Sequence, residues 1–112
     1  MEKSALEINN DPYLINFIKR RKLSESTERV YSGRLKAFCE FLGKTPSELI
    51  KESQKESGLK IHEYFNDYIE NLKNTGKSSN TIINRLDTVK AFYKEYNIDS
   101  DSINRIINPE TD

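Results

Sequence analysis

Soft metal ligands are almost absent from this sequence: one cysteine, Cys39, and one histidine, His62, serve all 112 residues. A structural zinc site of four cysteines, or of two cysteines and two histidines, cannot be assembled from them. A lone cysteine cannot close an internal disulfide, which agrees with a reducing compartment. No apolar run approaches the ~18 residues that span a bilayer. The opening Met1-Glu2-Lys3-Ser4 lacks the basic-then-apolar layout of a secretory leader, so a cytoplasmic location is expected, with no membrane partner. No glycine-rich loop of the phosphate-cradling kind occurs, and no cofactor is expected. Cys39 stands between Phe38 and Phe41 with no basic neighbour to lower its pKa, and reads as a packed thiol. His62 reads as a surface histidine. An enzyme confined to these residues is therefore not expected.

Net charge is absent as well, with 18 basic and 18 acidic side chains. The charge is nevertheless sorted along the chain. Residues 13–44 sum to +5 and residues 73–94 to +4, against −2 for 1–12, −3 for 45–72 and −4 for 95–112. Two basic blocks among acidic ones suit one nucleic-acid-facing side on an otherwise acidic domain, although solvated helices also produce such patterns.

What the sequence has in abundance is helix punctuation. Asp11-Pro12 is an N-cap followed by proline at the first helical position. Behind it Tyr13, Leu14, Phe17 and Ile18 form an apolar stripe that ends in Lys19-Arg20-Arg21-Lys22. Ser24 caps a second helix with the inner face Tyr31, Leu35, Phe38 and Leu42, closed by Gly43 in the left-handed conformation. Thr45-Pro46-Ser47-Glu48 is a capping box for a short helix stopping near Gly58. Ile61, Tyr64, Phe65, Tyr68, Ile69 and Leu72 make an aromatic helix closed by Gly76. Ser78 or Ser79 starts the last long helix, with the stripe Ile82, Leu86, Val89, Tyr93 and Tyr96 and Asn97 as its close. A weaker amphipathic piece follows at Ile103, Ile106 and Ile107. Nothing alternates with a period of two, so the chain is all-α: four main helices, a further short one and a C-terminal turn. No internal repeat is apparent, and Gly33 falls inside a helix, either for a close approach or as a tolerated surface glycine.

Most protein–DNA hydrogen bonds go to phosphate and sugar, from Lys, Arg, Ser, Thr, Asn and Tyr and from helix N-termini. Two helix starts carry that mixture. One is Ser24-Glu25-Ser26-Thr27-Glu28-Arg29 with Arg34 beyond it and the basic run before it. The other is Lys77-Ser78-Ser79-Asn80-Thr81, continuing to Asn84, Arg85 and Thr88, which the spacing places on one face away from the core stripe. Any N-capped surface helix shares part of this composition.

Leu23-Ser24-Glu25-Ser26-Thr27, then Tyr31, Leu35, Phe38 and Phe41-Leu42-Gly43, resembles the opening of tyrosine recombinase core-binding domains. Gly76-Lys77-Ser78-Ser79-Asn80-Thr81-Ile82 with Leu86 and Phe92-Tyr93 resembles the final helix of the same domains. Asn108-Pro109 resembles their exit to a catalytic domain. The resemblance implies an orthogonal four-helix, SAM-like bundle over residues 11–107, with a flexible segment at 1–10 and the start of a linker at 108–112. It implies double-stranded DNA as partner, gripped for integration or recombination, together with a catalytic domain of the same or a longer protein and self-association on DNA. Carried over by position, Ser26, Thr27, Tyr31 and Arg34 would contact DNA from one helix. Lys77, Ser78, Asn80, Thr81, Asn84 and Arg85 would do so from the other. Tyr31 is also claimed by the apolar stripe, and Asn84-Arg85 puts the arginine one place later than the family pattern. The catalytic arginines, histidine and tyrosine nucleophile would follow Pro109, so strand cleavage is not expected of this chain. The competing reading is a helical protein-interaction domain using Tyr64–Leu72 or Ile103–Ile107.

Overall fold

A computed structural model of the chain describes residues 8–55 and 59–98. Five helices follow one another: α1 (Pro12–Arg21), α2 (Glu25–Leu42), α3 (Pro46–Lys55), α4 (Leu59–Asn74) and α5 (Ser79–Glu95). No strand occurs among the described residues, so the fold is all-α as the punctuation requires. Two compact units divide between Glu52 and Ser53. The expected stop near Gly58, the stripe at Ile103, Ile106 and Ile107, and the linker at Asn108-Pro109 lie outside the described residues.

In the first unit α1 packs on α2, and the buried apolar side chains are Ile8, Leu14, Phe17, Leu35, Phe38, Cys39, Leu49 and Ile50. Burying a large apolar side chain contributes ~1.5–3 kcal/mol. Within the segment expected to be flexible, Ile8 and Asn9 are helical and Ile8 is buried; residues 1–7 lie outside the described residues.

Asp11 does more than cap its own helix. One carboxylate oxygen accepts from the Tyr13 amide at 2.9 Å. The other accepts from the Ser47 amide at 3.2 Å and from the Ser47 hydroxyl at 2.8 Å. This carboxylate, only 6% exposed, thus serves the first turns of α1 and α3 together, and both dipoles favour its negative charge. The capping box forms as expected, with the Thr45 amide donating to Glu48 Oε1 at 2.8 Å and the Glu48 amide to Thr45 Oγ1 at 3.3 Å.

In the second unit α4 packs on α5. Its core holds Ile61, Phe65, Tyr68, Ile69 and Leu72 from α4 with Ile82, Leu86, Val89, Phe92 and Tyr93 from α5. The rings of Phe65 and Tyr93 meet at 6.3 Å and those of Phe92 and Tyr96 edge-on at 5.5 Å. Thr88 departs from expectation: it is 2% exposed, and its hydroxyl donates to the Asn84 carbonyl. A threonine that satisfies its own hydroxyl within the helix can be buried, so Thr88 is not part of a polar outer face.

The sequence shows no repeat, but its two helical hairpins share their end geometry at an offset of 54 (76 − 22). Lys22 and Gly76 are both left-handed (φ 50° and 82°), donating to the carbonyls of Lys19 and Lys73. Ser24 and Ser78 are the next N-caps, each receiving an amide three residues on, at Thr27 and Thr81. The second helices close on Gly43 and Asn97, again both left-handed (φ 71° and 63°). Lys44 donates to Cys39 O and, 54 residues later, Ile98 donates to Tyr93 O. Between these ends Lys36-Ala37-Phe38 recurs as Lys90-Ala91-Phe92. The identities are too sparse to register as repetition in the sequence, because end geometry constrains only a few positions in each hairpin.

Two stability measurements follow. Asp11→Ala deprives two helix starts of a charged acceptor and should cost about 2–4 kcal/mol, read from the shift in urea midpoint. Lys22→Gly places in the first corner the residue that already occupies the second. Relief of the left-handed strain should raise stability by about 0.5–1 kcal/mol.

Candidate nucleic-acid interface

Each hairpin presents the start of its second helix just after a left-handed corner. At α2 the Ser24 hydroxyl donates to Thr27 Oγ1 at 2.9 Å and accepts from the Thr27 amide at 3.3 Å. At α5 Ser78 does the same with Thr81, at 3.0 and 3.2 Å. A serine hydroxyl has one proton. That of Ser78 is engaged by Thr81, whereas Thr81 retains its own proton to donate outward. Thr27 stands in the same position relative to Ser24. Within each pair the serine shapes the turn and the threonine is the free donor.

The two starts differ in charge. The first turn of α2 carries Glu25 and Glu28, and that of α5 carries no acid. Lys77, Ser78, Ser79, Asn80 and Asn84 are exposed, and Thr81 and Arg85 are half-buried. The amides of Ser79 and Asn80, ahead of the first intrahelical bond, face out of the helix end as first-turn amides do. Together they form a partial positive charge with donors around it, suited to an anion.

The residues expected to make contacts from α2 are less uniform. Ser26 is exposed, while Thr27, Tyr31 and Arg34 are half-buried. The Tyr31 ring lies 6.3 Å from that of Phe17 in a stacked arrangement. The Arg21 guanidinium stands 5.6 Å from the Phe17 centroid and 5.7 Å from the Tyr31 centroid. Tyr31 therefore helps hold α1 to α2 and gives the Arg21 guanidinium an aromatic partner, a positioning task compatible with a partly exposed edge. The basic run also complements the C-terminal dipole of α1, whose last turn holds Lys19, Arg20 and Arg21. Arg29, part of the helix start read from composition but not of the contact set carried over by resemblance, is exposed. It stands three residues beyond Ser26 on the same helix.

No group of three or more metal-ligating side chains converges among the described residues, and no described helix is long and apolar enough to cross a membrane. Cys39 is buried. Desolvation, followed by the negative charges of Asp11, Glu40 and Glu48, pushes its thiol well above the ordinary cysteine range. His62 is half-buried.

The described residues thus form a small all-helical domain whose chemistry is concentrated in donor-rich helix starts. The family model for the phage integrase N-terminal SAM-like domain matches residues 11–97, and the chain belongs to that family. No curated protein and no solved structure matches the chain.

The state of Cys39 gives a direct check. Its raised pKa keeps the thiol protonated at neutral and mildly alkaline pH, so the thiolate needed for attack is scarce in the folded state. A thiol reagent at pH 8 should modify Cys39 only in step with unfolding in urea. Rapid modification of the native protein would contradict the burial and its cause.

Proposed function

We propose that this domain binds double-stranded DNA as the gripping, non-catalytic part of a site-specific recombination or integration system. The observation that carries the reading is the start of α5. It joins an N-capped, acid-free first turn to exposed Lys77, Asn80 and Asn84, in a chain of the integrase N-terminal family. Lys77 and the first-turn amides would hold phosphate, with Thr81 and Arg85 donating from the flank and Asn84 reaching further along the helix. Ser78 would act by shaping the turn. The α2 start would contribute Ser26, Thr27 and Arg34, with Tyr31 placing Arg21, but Glu25 and Glu28 set it against phosphate. Strand cleavage would belong to a separate catalytic domain, in the same or a longer protein, and the setting would be the cytoplasm.

Fluorescence anisotropy with a labelled duplex tests this. Affinity should fall steeply with salt, each neutralised phosphate contributing about 0.9 to the log–log slope. Lys77→Ala should weaken binding across unrelated sequences and lower the slope by about 1. Glu25→Gln should strengthen binding. No binding at low salt, or the same affinity after both Lys77→Ala and Arg85→Ala, would remove the proposal.

A further inference from the structure

The outermost strip of α5 combines two kinds of side chain that neither packing nor helix formation explains. Asn80, Ile83, Asn84 and Asp87, spaced three, one and three, share one face of the helix, and all four are exposed. Ile83 is a large apolar side chain at 37% exposure. Asparagine and β-branched isoleucine both rank below Ala, Leu, Lys and Glu as helix formers. A lone exposed isoleucine needs no explanation; one set between two asparagines on a basic helix start does. Among the described residues no hydrogen bond occupies the side-chain amide of Asn80 or Asn84. No acid interrupts the chain from Lys77 to Leu86. Asp87, paired with Lys90 at 3.8 Å, ends that stretch.

The other hairpin supplies an internal comparison. At the offset of 54, the same four places on α2 hold Ser26, Arg29, Val30 and Gly33, again all exposed. The shared end geometry turns these places outward in both helices and leaves their chemistry open. The pairing of amides with an aliphatic chain belongs to α5 alone.

That pairing matches one edge of duplex DNA. In the major groove an A·T pair presents adenine N7 as acceptor and N6–H as donor, and beyond them thymine O4 and its C5 methyl. A side-chain amide donates to N7 through its N–H while its oxygen accepts from N6–H, and an aliphatic chain packs on the methyl. Guanine instead offers O6, which would face the amide oxygen, and its cytosine partner carries no methyl. Ile83 and Asn84 stand to either side of the line from Asn80 to Asp87, so both groups reach out from one strip. With Lys77 at the phosphates, Asn84 lies about 7 Å along the axis from Ser79, in the N-terminal part of the helix that reaches base edges when a helix enters the groove.

Resting on the DNA reading above, we propose that Asn84 and Ile83 read an A·T base pair in the major groove. The amide engages adenine, and the isoleucine covers the methyl of thymine.

Fluorescence anisotropy of the full chain with four short duplexes tests this. They are alternating A·T, the same with deoxyuridine for thymidine, the same with 7-deazaadenine for adenine, and alternating G·C. Loss of the thymine methyl should weaken binding about threefold, as expected for one apolar group. Loss of N7 should weaken it about fivefold, as expected for a broken bidentate pair, and the G·C duplex should also bind more weakly than A·T. Ile83→Ala should bind the thymine and uracil duplexes alike while still sensing N7, and Asn84→Ala should do the reverse. Lys77→Ala should weaken every duplex and keep both ratios, with circular dichroism confirming the fold of each variant. Salt-dependent binding of all four duplexes with one affinity overturns the base reading and leaves the DNA grip in place. A ratio that persists in its own variant overturns the assignment of that residue, because groove shape would then account for it. No binding of any duplex at low salt removes the DNA reading and this inference with it.

Discussion

A single buried carboxylate sets the geometry of the first unit. Asp11 receives three hydrogen bonds, one from the start of α1 and two from the start of α3. Each helix end has amides that must be satisfied somewhere, and one side chain meeting two such needs fixes where the two ends lie relative to each other. The charge also raises the thiol pKa of Cys39, so the same group that joins the helices helps keep that thiol unreactive. The stacked Phe17 and Tyr31 rings hold α1 to α2 at another point. With those tethers in place, the basic end of α1 leads directly into the start of α2.

Local signals were legible in the sequence and distant ones were not. Asp11, Ser24, Thr45 and Ser78 act on amides two or three residues away, so residue type disclosed the helix starts, with only the choice between Ser78 and Ser79 left open. Gly43, Gly76 and Asn97 disclosed the ends for a similar reason, since few residues adopt positive φ at little cost. Lys22 gave no such sign because its conformation is imposed by the hairpin and not invited by its side chain. The bonds from Ser47 to Asp11 span 36 residues, and no periodicity announces a partner at that distance.

The candidate interface was legible in composition more than in function. The two polar helix starts were visible, but not the division of labour within each. A serine and a threonine three apart look interchangeable on paper. The hydrogen-bond direction makes one the turn-former and the other the available donor. Thr88 looked like an extension of the polar face because spacing treats every threonine as polar. Its hydroxyl instead returns to the helix backbone and its methyl joins the core. Acidic residues at one start and not at the other separate two sites that the hairpin frame makes otherwise alike.

The recurrence of that frame bears on how the chain acquires its structure. Nearly all the bonds that define each corner link residues no more than five apart in sequence. Such loops close at little entropic cost, and chains dominated by short-range contacts fold fast. Each hairpin can therefore organise without waiting for the other, even as a nascent chain. In the first unit the Asp11–Ser47 closure spans 36 residues and so carries a larger loop-closure cost, and the second unit has no counterpart among the described residues. The entropic cost of closing the chain thus falls unequally on two halves built on one plan.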